Sequence, residues 1–284
     1  MSKFSNYLLV SDFDRTLTDR RGQIPQANLD AIAWFIEQGG AFTIATGRSL
    51  PMSRYRFADI PMNAPLLFCN GAGCVDLKTG ELLFCRPMPE DCVTFMQHYE
   101  QNYPHLRLEV HCLDKHYVFH GGDHRDAYLR RQNADFVHAT WDMVPDPMVK
   151  FSVYSQAETL MDITPDSEEG RFFLALEEDM NRRGGGRYTA INSLPGMVEV
   201  QAAGTSKGLA ARELAQAMGR SILVCAGDAT NDLSMLEEAD LAYLAADGDS
   251  RMQNRGFLSA APCDDGTIAD VIRQLEIHAH AADN

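Results

Sequence analysis

Short apolar runs without alternation recur in the first third of the chain and again near its end. They lie at residues 7–10, 41–45, 66–69, 222–226 and 241–244. Four or five consecutive apolar residues are typical of a strand that is buried on both faces. The pattern therefore predicts the strands of a parallel sheet covered by helices on both sides.

Amphipathic segments lie between several of these runs. Residues 28–38 place Leu29, Ile32 and Ile36 on one face of a helix, and Gly39 ends it. Further helices are predicted at residues 208–218 and 231–238. Alternation of buried strands with helices predicts a doubly wound α/β fold.

The middle of the chain has a different pattern. Strand-like and helical stretches are mixed there without regular alternation, which is typical of an α+β domain. The predicted strands are 106–111, 116–120, 149–154 and 187–191, and the predicted helices are 91–103 and 168–182. We expect residues 1–86 and 195–284 to form the α/β core, with residues 87–194 inserted as a second, α+β domain.

Composition narrows the class of protein. The 284 residues carry a net charge of -15, and an acidic surface repels nucleic acids and anionic membranes. We find no pattern of a signal peptide and no apolar run of membrane-spanning length. The seven scattered cysteines form no CxxC pair and suit a reducing compartment. We therefore expect a cytoplasmic protein with no nucleic-acid or membrane partner; its oligomeric state stays open.

The first polar cluster, Asp12-Phe13-Asp14-Arg15-Thr16, directly follows a predicted strand. Alternation along an extended chain puts Asp12 and Asp14 on the same side. Two adjacent carboxylates repel each other unless they share a cation or a proton, which suits a nucleophile and a separate acid/base. Taken alone, the cluster fits better with a turn that holds two solvated aspartates.

Thr46-Gly47-Arg48 follows the second strand in the same way. A hydroxyl group and a glycine N–H at a strand end bind phosphate oxygens in many sites. The alternative is an ordinary helix start, with Ser49 as the N-cap ahead of Pro51.

Two further clusters lie near the end of the chain. Lys207 opens a helix, where its charge opposes the helix dipole, and this weakly favours an anionic partner; taken alone, the position fits an ordinary solvated lysine better. Asp228 and Asp232 follow a buried strand beside Gly227, and hard carboxylate oxygens are preferred Mg²⁺ ligands. A glycine turn with a helix cap remains the simpler alternative for this cluster.

Ligands of open parallel sheets bind at the carboxyl ends of the strands, so these clusters should converge on one site. Their order resembles the four motifs of the haloacid dehalogenase (HAD) superfamily. The stretch 12–17 resembles DxDGT(L/V), Thr46 matches the second motif, Lys207 the third, and residues 227–232 the GDxxND motif. The insert after Asn70-Gly71-Ala72 resembles the cap of the type IIB (Cof-like) subfamily.

The resemblance implies a Mg²⁺-dependent phosphatase acting on a small phosphorylated metabolite. Asp12 would be the nucleophile and Asp14 the acid/base. Asp12, the Asp14 carbonyl and Asp228 would hold Mg²⁺, supported by Asp232 directly or through water. The residues implied in phosphate or substrate binding are Thr46, Gly47, Arg48, Asn70, Lys207 and Asn231.

The sequence departs from the family pattern in two places. Arg15 stands where the first motif usually has glycine, which adds bulk beside the leaving group. Residues 241–248 differ from the family's usual sequence after the fourth motif, so local contacts there are open.

Other functions remain as alternatives. A phosphomutase or phosphotransferase would pass the phosphoryl group to a sugar instead of water. A signalling receiver module has similar residues but no insert and no GDxxND motif, and a catalytically dead binding protein would be expected to lack one of the motif residues. The histidines of the insert match no standard zinc spacing, and we expect them to be exposed strand and loop residues.

Overall fold

The computed structural model describes residues 2–282, with side chains except those of residues 161 and 279–282. The helices are α1 Gln26–Glu37, α2 Leu50–Arg56, α3 Cys92–Asn102, α4 Asp123–Arg131, α5 Glu168–Gly184, α6 Lys207–Ala217, α7 Leu233–Glu238 and α8 Thr267–Ala282. The strands are β1 Tyr7–Ser11, β2 Ala41–Ile44, β3 Leu66–Phe68, β4 Gly73–Val75, β5 Leu82–Cys85, β6 Arg107–Cys112, β7 His116–Phe119, β8 Phe136–His138, β9 Met148–Tyr154, β10 Tyr188–Leu194, β11 Met197–Ala202, β12 Ile222–Gly227, β13 Leu241–Ala245 and β14 Leu258–Ala260.

The first sheet has the order β14-β13-β12-β1-β2, and its paired strands all run parallel. A parallel bridge between Ala45 and Leu67 continues it towards β3. Leu8, Leu9 and Val10 of β1 are all fully buried, because each successive side chain faces a helical layer. The predicted sheet of doubly buried parallel strands is thus confirmed.

Helices of the first sheet pack in pairs, α1 with α8 and α6 with α7. Ser206 caps α6, its hydroxyl accepting a hydrogen bond from the Leu209 amide at 3.1 Å. Asn28 joins the other pair, donating to the Leu17 carbonyl and accepting from the Ala269 amide. In the described part of the chain, no helix combines the length and the apolarity needed to cross a membrane.

The second sheet has the order β10-β11-β9-β6-β7-β8 and is antiparallel except between β7 and β8. One face packs on α3 and α5, with Phe151 of β9 against Met96 and Phe173. The opposite face is polar although it is buried, and β6 shows why. Its Leu108 and Val110 join the apolar core, while the intervening residues are charged or imidazole side chains.

The chain divides into two compact units. The first comprises residues up to Gly47, Asp59–Leu83 and Ser206 onwards; the second comprises Arg48–Ala58 and Phe84–Thr205. These boundaries differ from the predicted ones at both ends of the insert. Helix α2 belongs to the second unit because Met52 packs with Val118 and Leu129. Strand β11 belongs there because it pairs with β9 and β10.

One further expectation is wrong. His111 and His116 are not exposed strand residues, since 1% and 0% of their surfaces are accessible. Period-two alternation on β6 and β7 places these side chains on a face that the rest of the structure covers. The hydrophobic pattern misses this burial because the covered face is polar.

The close approach of α6 to α7 gives a test of the fold. A Cβ atom on Gly208 would lie 2.0 Å from the Ser234 carbonyl oxygen, which is backbone and has little freedom to move. Gly208→Ala is expected to lower the free energy of unfolding by roughly 1–3 kcal/mol, as overpacking does. Urea denaturation followed by circular dichroism measures it.

The matched control is Gln216→Ala, an exposed position on the same helix. It is expected to change stability by less than about 0.5 kcal/mol. Equal unfolding midpoints for the two variants would contradict the close packing of α6 on α7.

Candidate active site

Two neighbouring parallel strands bring the first and fourth sequence clusters together. Ser11 of β1 pairs with Ala226 of β12, so Asp12 and Asp228 each lie just beyond the carboxyl end of adjacent strands. The Asp12 amide donates to the Ala226 carbonyl at 2.9 Å, which fixes the backbone at this point. The convergence that the sequence predicts thus follows from strand register.

Lys207 joins these residues from the start of α6. Its ammonium donates to Asp12 Oδ1 at 2.5 Å and to Asp232 Oδ1 at 2.7 Å. The lysine is almost fully buried, so both ion pairs are shielded from water. The other oxygen of Asp232 accepts hydrogen bonds from the Asp228 and Ala229 amides at 3.0 and 3.1 Å. Asp232 therefore orients both the lysine and the loop that carries Asp228.

The turn after Asp12 contributes a residue that the sequence interpretation did not include among the site residues. Thr16 is fully buried, and its hydroxyl donates to Asp228 Oδ1 at 3.2 Å. Arg15 reaches this turn in a left-handed conformation with φ 64°. Asp14 is exposed to solvent at the same turn. The threonine of the first motif was the available sequence signal for Thr16.

Carboxylates outnumber cations in this buried group. One oxygen from each of Asp12, Asp228 and Asp232 lies within 4.8 Å of the others, and Lys207 alone supplies positive charge at hydrogen-bond distance among the described residues. Buried like charges this close are stable only with a bound cation or with protons. The ligand atoms are hard oxygens, so the residues fit a divalent cation such as Mg²⁺.

The pKa values reflect the excess of carboxylates. Burial, followed by the charges of Asp232 and Asp228, raises the pKa of Asp12 well above its usual range, although Lys207 acts in the opposite direction. Burial and Asp232 also raise the pKa of Asp228 to about 7. Burial alone would lower the pKa of Lys207, but Asp12 and Asp232 raise it. The lysine is thus firmly charged, but its attraction does not offset the burial and carboxylate charges that raise the pKa of Asp12.

The second sequence cluster lies on the next strand. The Ala45 amide donates to the Ser11 carbonyl at 2.9 Å, which places Thr46 beside Asp12 at the carboxyl ends of the strands. The Thr46 carbonyl in turn accepts from the Asn70 amide at 2.9 Å. Thr46 and Asn70 are both buried, so the structure brings these two predicted residues together.

Two glycines allow these loops to approach each other. A Cβ on Gly47 would lie 2.9 Å from Asn70 Oδ1, and a Cβ on Gly71 would lie 2.3 Å from the Ser206 carbonyl. Gly71 also has a φ of 89°, which favours glycine. The Asn70-Gly71 loop is therefore packed closely against both the second-motif loop and Ser206, the residue before Lys207.

The two remaining predicted residues lie in other local environments. Arg48 belongs to the second unit, where its guanidinium donates to Gln132 Oε1 at 2.7 Å. Asn231 is half-buried in the short turn Thr230–Asp232, one residue before Asp232.

Comparison with known proteins agrees with this geometry. The family model described as haloacid dehalogenase-like hydrolase matches residues 9–272. Among solved structures, a haloacid dehalogenase-like hydrolase from Bacteroides thetaiotaomicron is 18% identical, with a TM-score of 0.80 over 94% of this chain and 98% of that one. One from B. subtilis is also 18% identical, with a TM-score of 0.77 over 94% and 99%.

A HAD subclass IIB sugar phosphatase, 17% identical, has a TM-score of 0.78 over 95% of this chain and 99% of that one. These neighbours share the fold along nearly their whole lengths, including the inserted second sheet. With the match over residues 9–272 and the four motifs in order at one sheet edge, this chain belongs to the haloacid dehalogenase-like hydrolase family.

Proposed function

We propose that the protein is a Mg²⁺-dependent phosphatase that hydrolyses the monoester of a small phosphorylated metabolite through an aspartyl-phosphate on Asp12. The observation that carries the proposal is the buried contact of Asp12 with Lys207 inside a group of three carboxylates. A structural ion pair would need only one carboxylate for its lysine. The excess negative charge is useful where a cation and a phosphate must be bound together.

The residues divide the reaction into two steps. Asp12 attacks phosphorus as the bond to the leaving oxygen breaks, while Asp14 gives that oxygen its proton. Asp14 then takes a proton from water, which attacks the aspartyl-phosphate, releases inorganic phosphate and regenerates Asp12. The exposure of Asp14 supports this role because the carboxyl group must exchange protons between steps.

The remaining residues hold the charges in place. Lys207 neutralises charge between Asp12 and the phosphate, and Thr46 with the Gly47 N–H binds the transferring oxygens. Asp12, the Asp14 carbonyl and Asp228 would hold Mg²⁺, with Asp232 in support. When bound, the cation screens the phosphate charge and keeps Asp12 ionised. Arg48, Asn70 and Asn231 are assigned to substrate binding.

The substrate is proposed to be a sugar phosphate or a similar metabolite. The subclass IIB neighbour is a sugar phosphatase, and the resemblance implies that the second unit selects the leaving group. All seven cysteines are free thiols, which supports a reducing cytoplasmic location.

The raised pKa of Asp228 predicts how stability depends on pH and on Mg²⁺. The folded-state pKa is about 7 and that of an unfolded aspartate is about 4. Without metal, the folded protein holds a proton that the unfolded chain has lost, so stability falls as pH rises through this interval. Mg²⁺ binds the ionised carboxylates, and is expected to raise the melting temperature more at about pH 8 than at about pH 5.5.

Thermal melts of wild type in EDTA and in saturating Mg²⁺, at both pH values, measure the difference. Asp228→Asn is the matched variant, and its Mg²⁺ response should be small at either pH. A wild-type response that is equal at the two pH values would contradict the proton-coupled site.

Trapping the phospho-enzyme intermediate distinguishes the proposed roles of Asp12 and Asp14. Asp12→Asn is expected to show neither turnover of p-nitrophenyl phosphate nor phospho-enzyme, since the nucleophile is gone. Asp14→Asn should still transfer phosphate to Asp12, because this leaving group needs little protonation, but should hydrolyse the intermediate roughly 10²–10⁴-fold more slowly. Rapid-quench experiments should therefore show phospho-enzyme accumulating in Asp14→Asn alone.

Phospho-enzyme formation by Asp12→Asn at the wild-type rate would disprove the assignment of the nucleophile. Multiple-turnover release of inorganic phosphate separates hydrolysis from transfer to a second sugar, which would leave free phosphate low.

A further inference from the structure

A second group of metal-ligand side chains is buried in the second unit, away in sequence from all four motifs. Glu109 and His111 lie two residues apart on β6, and His116 pairs with His111 from β7, so all three share one sheet face. They are 0%, 1% and 0% exposed. One ligand atom from each lies within 4.8 Å of the others.

The carboxylate of Glu109 uses its two oxygens differently. Oε1 accepts hydrogen bonds from Arg107 Nε at 2.7 Å and Arg125 Nε at 3.1 Å. Oε2 lies 3.1 Å from His116 Nδ1, and the other nitrogen of that ring lies 2.6 Å from Ser49 Oγ. Ligand atoms of a tetrahedral zinc ion with bonds near 2.0 Å are about 3.3 Å apart, so the Glu109–His116 spacing matches a pair of ligands.

His111 supplies an independent observation. Its Nε2 lies 3.1 Å from Ser152 Oγ, whereas its Nδ1 is buried and has no hydrogen-bond partner among the described residues. A buried nitrogen without a partner is costly, and such atoms often bind a ligand or water. If Nε2–H donates to Ser152, Nδ1 carries a free lone pair, which is the form of imidazole that binds metals.

The protonation states of these three side chains are those that metal binding requires. Burial is the main cause that lowers the pKa of both His111 and His116, so both rings are neutral near pH 7. Although burial opposes it, Arg125 and Arg107 hold the pKa of Glu109 well below its usual range. Two neutral imidazoles and an ionised carboxylate are therefore available together.

We propose that Glu109, His111 and His116 form a second metal site, specific for zinc or a similar transition-metal ion. The surrounding charges indicate which metal would bind. Besides Glu109, the charged groups around the three proposed ligands are buried except for the half-buried Arg125, and they include the following residues: Arg107, Arg125, Asp126, Lys150 and Glu199. Three cations balance three carboxylates, so there is little net attraction for a cation.

Affinity must then come from coordination by imidazole nitrogen, which favours zinc over the oxygen-preferring magnesium. The three protein ligands leave a fourth position for water, as in many tetrahedral zinc sites. Because its ligands come from both strands, the bound ion would connect β6 to β7. The site does not depend on Asp12 or on the proposed phosphatase reaction.

The test uses the full-length protein after EDTA treatment, with Zn²⁺ and Co²⁺ alone as probes. Asp228→Asn weakens the carboxylate site at the motifs, so it isolates the proposed one. In this background Zn²⁺ should bind in calorimetry and should raise the melting temperature, and Co²⁺ should give the intense visible absorption of a tetrahedral site. Replacement of His111 or His116 by Gln should weaken Zn²⁺ binding more than about 100-fold.

The matched control is His124→Gln, an exposed histidine of the same unit, which should bind Zn²⁺ as before. Zinc X-ray absorption on Asp228→Asn needs no histidine variant and should show two imidazole ligands. Zinc bound through oxygen alone, no zinc binding, or unchanged affinity in folded His111→Gln protein would each overturn the proposal. None of these results bears on phosphate release, so failure here leaves the phosphatase proposal standing.

Discussion

A single buried ammonium group organises the candidate active site. Lys207 contacts two carboxylates from distant parts of the chain, Asp232 and Asp12, and it lies 195 positions after Asp12. Taking a lysine out of water is expensive unless its charge is paired with good geometry. The parallel sheet provides that geometry, because strand register fixes Asp12 beside Asp228, and the capped start of α6 fixes the lysine.

The pairing of Lys207 with Asp12 and Asp232 leaves the site with more carboxylate charges than positive charges. Both oxygens of Asp232 already accept hydrogen bonds, one from Lys207 and the other from two backbone amides, so this carboxylate orients its neighbours. Asp12 and Asp228 retain oxygens whose repulsion is relieved only by protons or by a cation. If the site binds Mg²⁺ as proposed, it would change between a protonated form without metal and an ionised form with metal. The phosphate group of the proposed substrate would add negative charge and so favour the metal-bound form.

The sequence predicted the strand ends of the first unit well, because a run of apolar residues followed by a polar cluster has few interpretations in a parallel sheet. It predicted that Asp12, Lys207 and Asp228 would converge for the same reason. It did not place α2 in the second unit or assign Arg48 its contact with Gln132, since neither depends on periodicity. Nor did it show that His111 and His116 are buried, because a polar sheet face has the same pattern whether water or protein covers it.

The discontinuity of the second unit in the sequence has a consequence for protein engineering. The second unit is built from two separate stretches, and the shorter one, Arg48–Ala58, starts immediately after Gly47. A chimera that exchanges only Phe84–Thr205 would remove the Val118 and Leu129 surfaces on which Met52 packs, and the His116 ring that contacts the Ser49 cap. Transplanting the second unit of this protein into a relative therefore requires two coordinated segments rather than one cassette.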